Sequence, residues 1–132
     1  MKTYVVLFFT IFLIGCGGQG SSSYKVTKMT LEKQEKNNPK SFLSVSGRTW
    51  ENLSGETVIK GDIKNNATIA QFKDVILVVD FYTKTNTHLG SQRFVVYEFV
   101  KPGQSAHYKL KMIAPAGTEN VNISVESAKA VD

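Results

Sequence analysis

The chain has 132 residues, a formal net charge of +5, one cysteine and one tryptophan. That length leaves room for one domain and a tether. A lone cysteine excludes an internal disulfide, so stability must come from core burial and strand pairing. Apart from Lys2, the basic residues are scattered from Lys25 to Lys129 among acids and apolar residues. A nucleic-acid footprint is a clustered patch or stripe, so no nucleic-acid partner is expected; a solvated basic surface is.

Lys2 is followed by an apolar run over residues 4–14, and Leu13-Ile14-Gly15-Cys16 closes it. A short positive start and an eleven-residue apolar core have the layout of a secretory signal. Eleven residues rise only about 16 Å as a helix, against roughly 30 Å of hydrocarbon core, so the run is too short to span a bilayer. Leu13-Ile14-Gly15-Cys16 resembles the bacterial lipobox. The resemblance implies cleavage before Cys16, a diacylglyceryl thioether on its sulfur and usually a third acyl chain on the new amine. One chain holds a membrane weakly, whereas two or three hold it for long periods. Residues 1–15 are then a lipoprotein signal peptide, 16–23 a lipidated N-terminus with a flexible tether, and 24–132 the folded domain. Gly17, rather than Asp, follows the cysteine. Similarity to sorting rules in two-membrane bacteria thus points to an outer-membrane, periplasm-facing location. The Gly/Ser-rich stretch 17–23 has a reach of roughly 15 Å, which keeps the domain beside the lipid.

Beyond the tether, period-two patterns dominate. Residues 24–31 and 42–50 read as weak strands, and the charged, Pro-containing segment 32–40 between them as a loop. Residues 58–65 place Ile59, Gly61 and Ile63 on one face and Lys60, Asp62 and Lys64 on the other. In 72–83, Val75, Leu77, Val79 and Phe81 line one side, with Ile76, Val78, Asp80 and Tyr82 opposite. That is the pattern of a central strand. Residues 92–100 follow through a hairpin over 83–90, which makes Arg93 a candidate cross-strand partner for Asp80. Lys101-Pro102-Gly103 reads as a turn. If it joins a hairpin, His107 falls opposite about Val96. Ala106, Tyr108, Leu110 and Met112 alternate with His107, Lys109 and Lys111, and Val121, Ile123 and Val125 alternate with polar residues. About seven short strands, broken by Gly, Pro and Asn, predict an all-β sandwich with minimal helix.

Three pieces of 58–112 resemble the FxLYD-type immunoglobulin-like domain of bacterial envelope proteins. They are Val58-x-x-Gly61-x-Ile63-x-Asn65-Asn66, Phe72-x-Asp74-Val75-x-Leu77-x-Val79-x-Phe81-Tyr82, and Lys101-Pro102-Gly103-Gln104-Ser105. The usual Tyr-Asp-x-x-Gly turn is replaced by Tyr82-Thr83-Lys84-Thr85-Asn86, where Asn can take the left-handed conformation of Gly. The resemblance implies an immunoglobulin-like β-sandwich, a rigid extracytoplasmic module generally of unassigned role. Gly61 would allow close approach of a neighbour, and Asn65 and Asn66 would bond backbone in the following turn.

Candidate chemistry is sparse. Only His88 and His107 are available as histidine bases, and no H-E-x-x-H, phosphate loop or nucleophile elbow is present. Asp74 and Asp80 share a strand face but are about 20 Å apart, too far to act as a carboxylate pair. No catalytic residue, metal ligand or cofactor is therefore expected. Trp50 in a small sandwich more often plugs the core. Exposed, it would join Arg48, Tyr82 and Tyr97 as a stacking platform or partner contact. The expected function is a non-enzymatic envelope lipoprotein that contacts another envelope protein. A carbohydrate-binding accessory protein of a glycan-uptake system is the alternative, and would need Trp50 coplanar with a tyrosine. A periplasmic inhibitor or immunity protein would instead project a loop, such as 32–40.

Overall fold

The computed structural model describes residues 20–132, with side chains from residue 25 onward. The signal segment, Cys16 and the first part of the tether lie outside the described residues. The described chain runs α1 (Gly20–Asn37), α2 (Pro39–Phe42), β1 (Leu43–Glu51), β2 (Thr57–Asn65), β3 (Phe72–Tyr82), β4 (His88–Val96), β5 (Ser105–Met112) and β6 (Asn120–Ala130). The strands form two antiparallel three-stranded sheets, ordered β1-β2-β5 and β4-β3-β6. This is an all-β sandwich with six strands in place of about seven.

Alternation carries the packing. Ile59, Ile63, Tyr108, Leu110 and Met112 from one sheet meet Phe72, Val75, Leu77, Val79, Phe81, Val96 and Val125 from the other. The second side of β3 is half-buried, as a central strand requires. Asn86 takes φ 63 at the tip of the β3–β4 hairpin, the conformation its turn demands. Gly61 also does its expected work. It pairs with Gly47 on β1 and Tyr108 on β5, and the Tyr108 hydroxyl reaches across to donate to the Ser46 carbonyl at 2.8 Å.

Two readings are corrected. Residues 24–31 are not a strand, nor is 32–40 a loop: α1 covers Gly20–Asn37, beginning inside the tether and continued by α2. The turn at 101–103 also does not join a hairpin, the condition on which His107 would face Val96. Gly103 has φ 71 and Gln104 N–H bonds the Lys101 carbonyl at 3.0 Å, so the turn is real. Yet β4 pairs with β3 and β5 with β2, because the chain crosses between sheets there, and His107 lies opposite Asp62 rather than Val96.

Asn65 holds that crossing. It is fully buried and donates to the Ala70 and Val100 carbonyls at 2.8 and 2.9 Å, while its Oδ1 accepts from Ala67 N–H at 2.9 Å. Its own backbone N–H donates to the Gln104 carbonyl and its carbonyl accepts from Gly103 N–H, both at 2.9 Å. Asn65→Ala strands the buried Ala67 N–H and the Ala70 carbonyl. It is expected to cost about 3 kcal/mol, at roughly 1–3 kcal/mol per orphaned group, read from the urea midpoint.

Candidate functional site

The three aromatic residues singled out by sequence do not converge. Trp50 is 44% exposed on the outer face of β1, opposite Val58, so it is not a core plug. Tyr82 is half-buried at the end of β3, its ring edge-on to His88 with centroids 5.3 Å apart. Tyr97 follows β4 and is 79% exposed. Since Val75 pairs with Val96 and Tyr82 with His88, Tyr82 and Tyr97 sit at opposite ends of one sheet, roughly 27 Å apart. Trp50 belongs to the other sheet. Among the described residues the one ring pair is Tyr82 with His88, and no coplanar aromatic platform for a sugar forms.

The charged residues pair differently from expectation. Arg93 bonds Glu126 on β6 through Nε, at 2.8 and 3.0 Å, and not Asp80. The hairpin instead brings His88 and Ser91 to Asp80: His88 Nε2 lies 3.0 Å from Asp80 Oδ1 and 3.1 Å from Ser91 Oγ, and the Ser91 hydroxyl donates to the same carboxylate. The Ser91 bond, then the His88 bond, hold the Asp80 carboxyl below its ordinary value. A serine relay needs acid and hydroxyl on opposite ring nitrogens. Here both meet Nε2, and the serine proton is aimed at the acid. The cluster is a clasp across the hairpin. Asp62 pairs with His107 on the outer face of the other sheet. No group of three or more His, Cys, Asp or Glu able to hold a metal occurs among the described residues.

Two surfaces are left open. Val95, Tyr97 and Phe99 form an exposed alternating row along edge strand β4 and its continuation, Phe99 being 60% exposed, while Val96 and Val100 point inward. The second is the outer face of β1-β2-β5. Its cross-strand rows are Ser44–Lys64–Ser105, Ser46–Asp62–His107, Arg48–Lys60–Lys109 and Trp50–Val58–Lys111. Scattered in sequence, five cations are thus brought onto one face. Part of the solvated basic surface expected from the sequence is gathered on that face. The signal lay in the polar positions of 58–65 and 106–112, but only the register aligns them.

Glu35 was missed altogether. It is 1% exposed and docks α1 onto the loop after β2. Its Oε1 accepts from Thr68 N–H and hydroxyl at 2.9 and 2.7 Å, and Oε2 accepts from Ile69 and Ala70 N–H at 2.8 Å each. Burial pushes this carboxyl up, but the Thr68 hydroxyl and three backbone N–H groups together outweigh burial and hold it below 4.5. Segment 32–40 therefore does not project as an inhibitor loop would.

No family model matches this chain, and no curated protein matches it. Among solved structures it is similar to the Salmonella enterica trimeric lipoprotein SadB, with TM-score 0.46 and 13% identity over 80% of this chain and 70% of that one. "Trimeric" and "lipoprotein" describe that protein.

Proposed function

We propose that this protein is a lipid-anchored cell-envelope lipoprotein whose sandwich, an immunoglobulin-like module of FxLYD type, serves protein contacts and performs no catalysis. The observation that carries the reading is the sole cysteine, Cys16, placed directly after a signal-like apolar run and Leu13-Ile14-Gly15. In this reading attachment is by acyl chains on Cys16; among the described residues no helix is long and apolar enough to cross a membrane. The row Val95, Tyr97 and Phe99 supports the contact role, since it sets exposed apolar side chains at the end of edge strand β4 and just past it, where a partner strand could add. An outer-membrane site facing the periplasm completes the reading, on the strength of Gly17.

Mass spectrometry of protein purified from the envelope of the producing cell tests it. The expected species begins at Cys16 and carries a diacylglyceryl group there. An unmodified thiol, or retention of residues 1–15, overturns the reading. A photocrosslinking residue at Tyr97 is expected to give a discrete protein adduct, whereas one at Thr85 on the hairpin tip is not.

A further inference from the structure

We propose that the outer face of β1-β2-β5 docks onto an anionic lipid surface. Arg48, Lys60 and Lys109 stand side by side on three adjacent strands, with Lys64 one side of them and Lys111 on the other. All five are exposed. Like charges directly opposite one another on neighbouring strands destabilise a sheet, so folding alone gives no reason for this row. No acid is ion-paired with any of the five among the described residues. The one carboxylate in these rows, Asp62, is engaged by His107. The opposite sheet is arranged otherwise, with Arg93 on Glu126 and Asp80 on His88. Strands β3, β4 and β6 set Lys73, Arg93 and Lys129 against Asp74, Asp80 and Glu126, so of the two sheets the cationic excess lies on β1-β2-β5.

The shape selects the occupant. Three strands and four rows make a grid about 10 Å by 20 Å. A plane of phosphates meets such a grid all at once, whereas a single polymer strand meets one row. An open hollow of roughly 530 Å³ over Ser46, Arg48, Lys60, Asp62 and His107 has room for a phosphate headgroup. At one end of the grid Trp50 is partly exposed, and Leu53, on the β1–β2 turn, and Ile113, just past β5, are both exposed. An aromatic ring with apolar neighbours beside lysines is the composition found at headgroup level. Proximity of the bilayer rests on the lipid-anchored reading; the charge and shape arguments do not.

Trp50 is the sole tryptophan, so its fluorescence reports on this face alone. The purified acylated protein is mixed with vesicles of phosphatidylcholine, or of phosphatidylcholine with phosphatidylglycerol. A blue shift and shielding from acrylamide are expected only with phosphatidylglycerol, and are expected to fade at high salt. Each cation near an anionic surface adds roughly fivefold to partitioning. Lys60→Gln with Lys109→Gln should therefore cut the salt-sensitive association by about 25-fold, without lowering the urea midpoint, because both changes relieve repulsion. Trp50 responding equally to both vesicle types overturns the proposal, as does a shift that survives the double substitution. An equal shift with heparin and no vesicles overturns it in favour of a soluble polyanion. Co-flotation with pure phosphatidylcholine vesicles reads the acyl anchor separately. If that is lost while the phosphatidylglycerol response remains, the anchor reading fails and the docking face stands.

Discussion

Gly61→Ala is expected to destabilise the sandwich by at least about 3 kcal/mol, the upper part of the range for overpacking. A methyl group at Gly61 would lie 1.8 Å from the Ser46 carbonyl oxygen and 2.5 Å from the Gly47 Cα. Both are backbone atoms of the paired strand, so no side chain can swing aside, and β1 must move away from β2. That movement also breaks the Tyr108–Ser46 bond. Burial raises the Tyr108 hydroxyl to about 12. A phenol whose folded value exceeds its unfolded 10.0 stabilises fully below pH 10 and loses that contribution as pH rises towards 12. Two readouts follow: a lower urea midpoint, and one fewer late-titrating tyrosine in an ultraviolet pH titration. A change confined to the midpoint would show that β1 keeps its place over Tyr108.

Glu35→Ala is expected to release α1. The substitution leaves three backbone N–H groups and the Thr68 hydroxyl without their acceptor, at a cost of about 3–4 kcal/mol, since water can reach the exposed Thr68. Most helix stability in proteins comes from tertiary packing rather than from propensity, so α1 depends on its docking. The expected result is loss of the helical circular-dichroism signal and fast amide exchange in α1, while the sheet signal persists. Glu35→Gln retains one accepting oxygen and is expected to fall between. The pH dependence has a definite sign. Because the folded value lies below 4.5, the stabilisation is complete above about pH 4.5 and disappears as pH falls through the lowered value. Docking of α1 should weaken in acid for the native chain and show no such step in Glu35→Gln. A helix signal unchanged in Glu35→Ala would mean that other contacts hold α1.

The contrast between β3 and α1 shows what the sequence made legible. Alternation in 58–65, 72–82 and 105–112 marked the inner faces because burial there is apolar and strand periodicity is local. Helix α1 has no such mark: Tyr24 and Val26 alternate as in a strand, and no apolar stripe runs along it. Its buried polar anchor is one carboxylate held by donors more than thirty residues away, which no periodic pattern reports. The turn at Gly103 was legible from Pro102 and Gly103, but the strand partners on its two sides were not, since a turn of one conformation can join strands in the same sheet or in different ones. The same holds for the site. Trp50 could be named but not placed, and Arg48, Lys60 and Lys109 become neighbours only through pairing across three strands.

The strand order has a further bearing on biogenesis. Each sheet takes its third member from the C-terminal part of the chain, β5 for one and β6 for the other. Before residue 105 emerges, the chain can offer only two hairpins, β1–β2 and β3–β4, and lone hairpins are marginal in water. A polypeptide threaded tail-last through a translocation pore would thus remain pliable until its closing segment arrived.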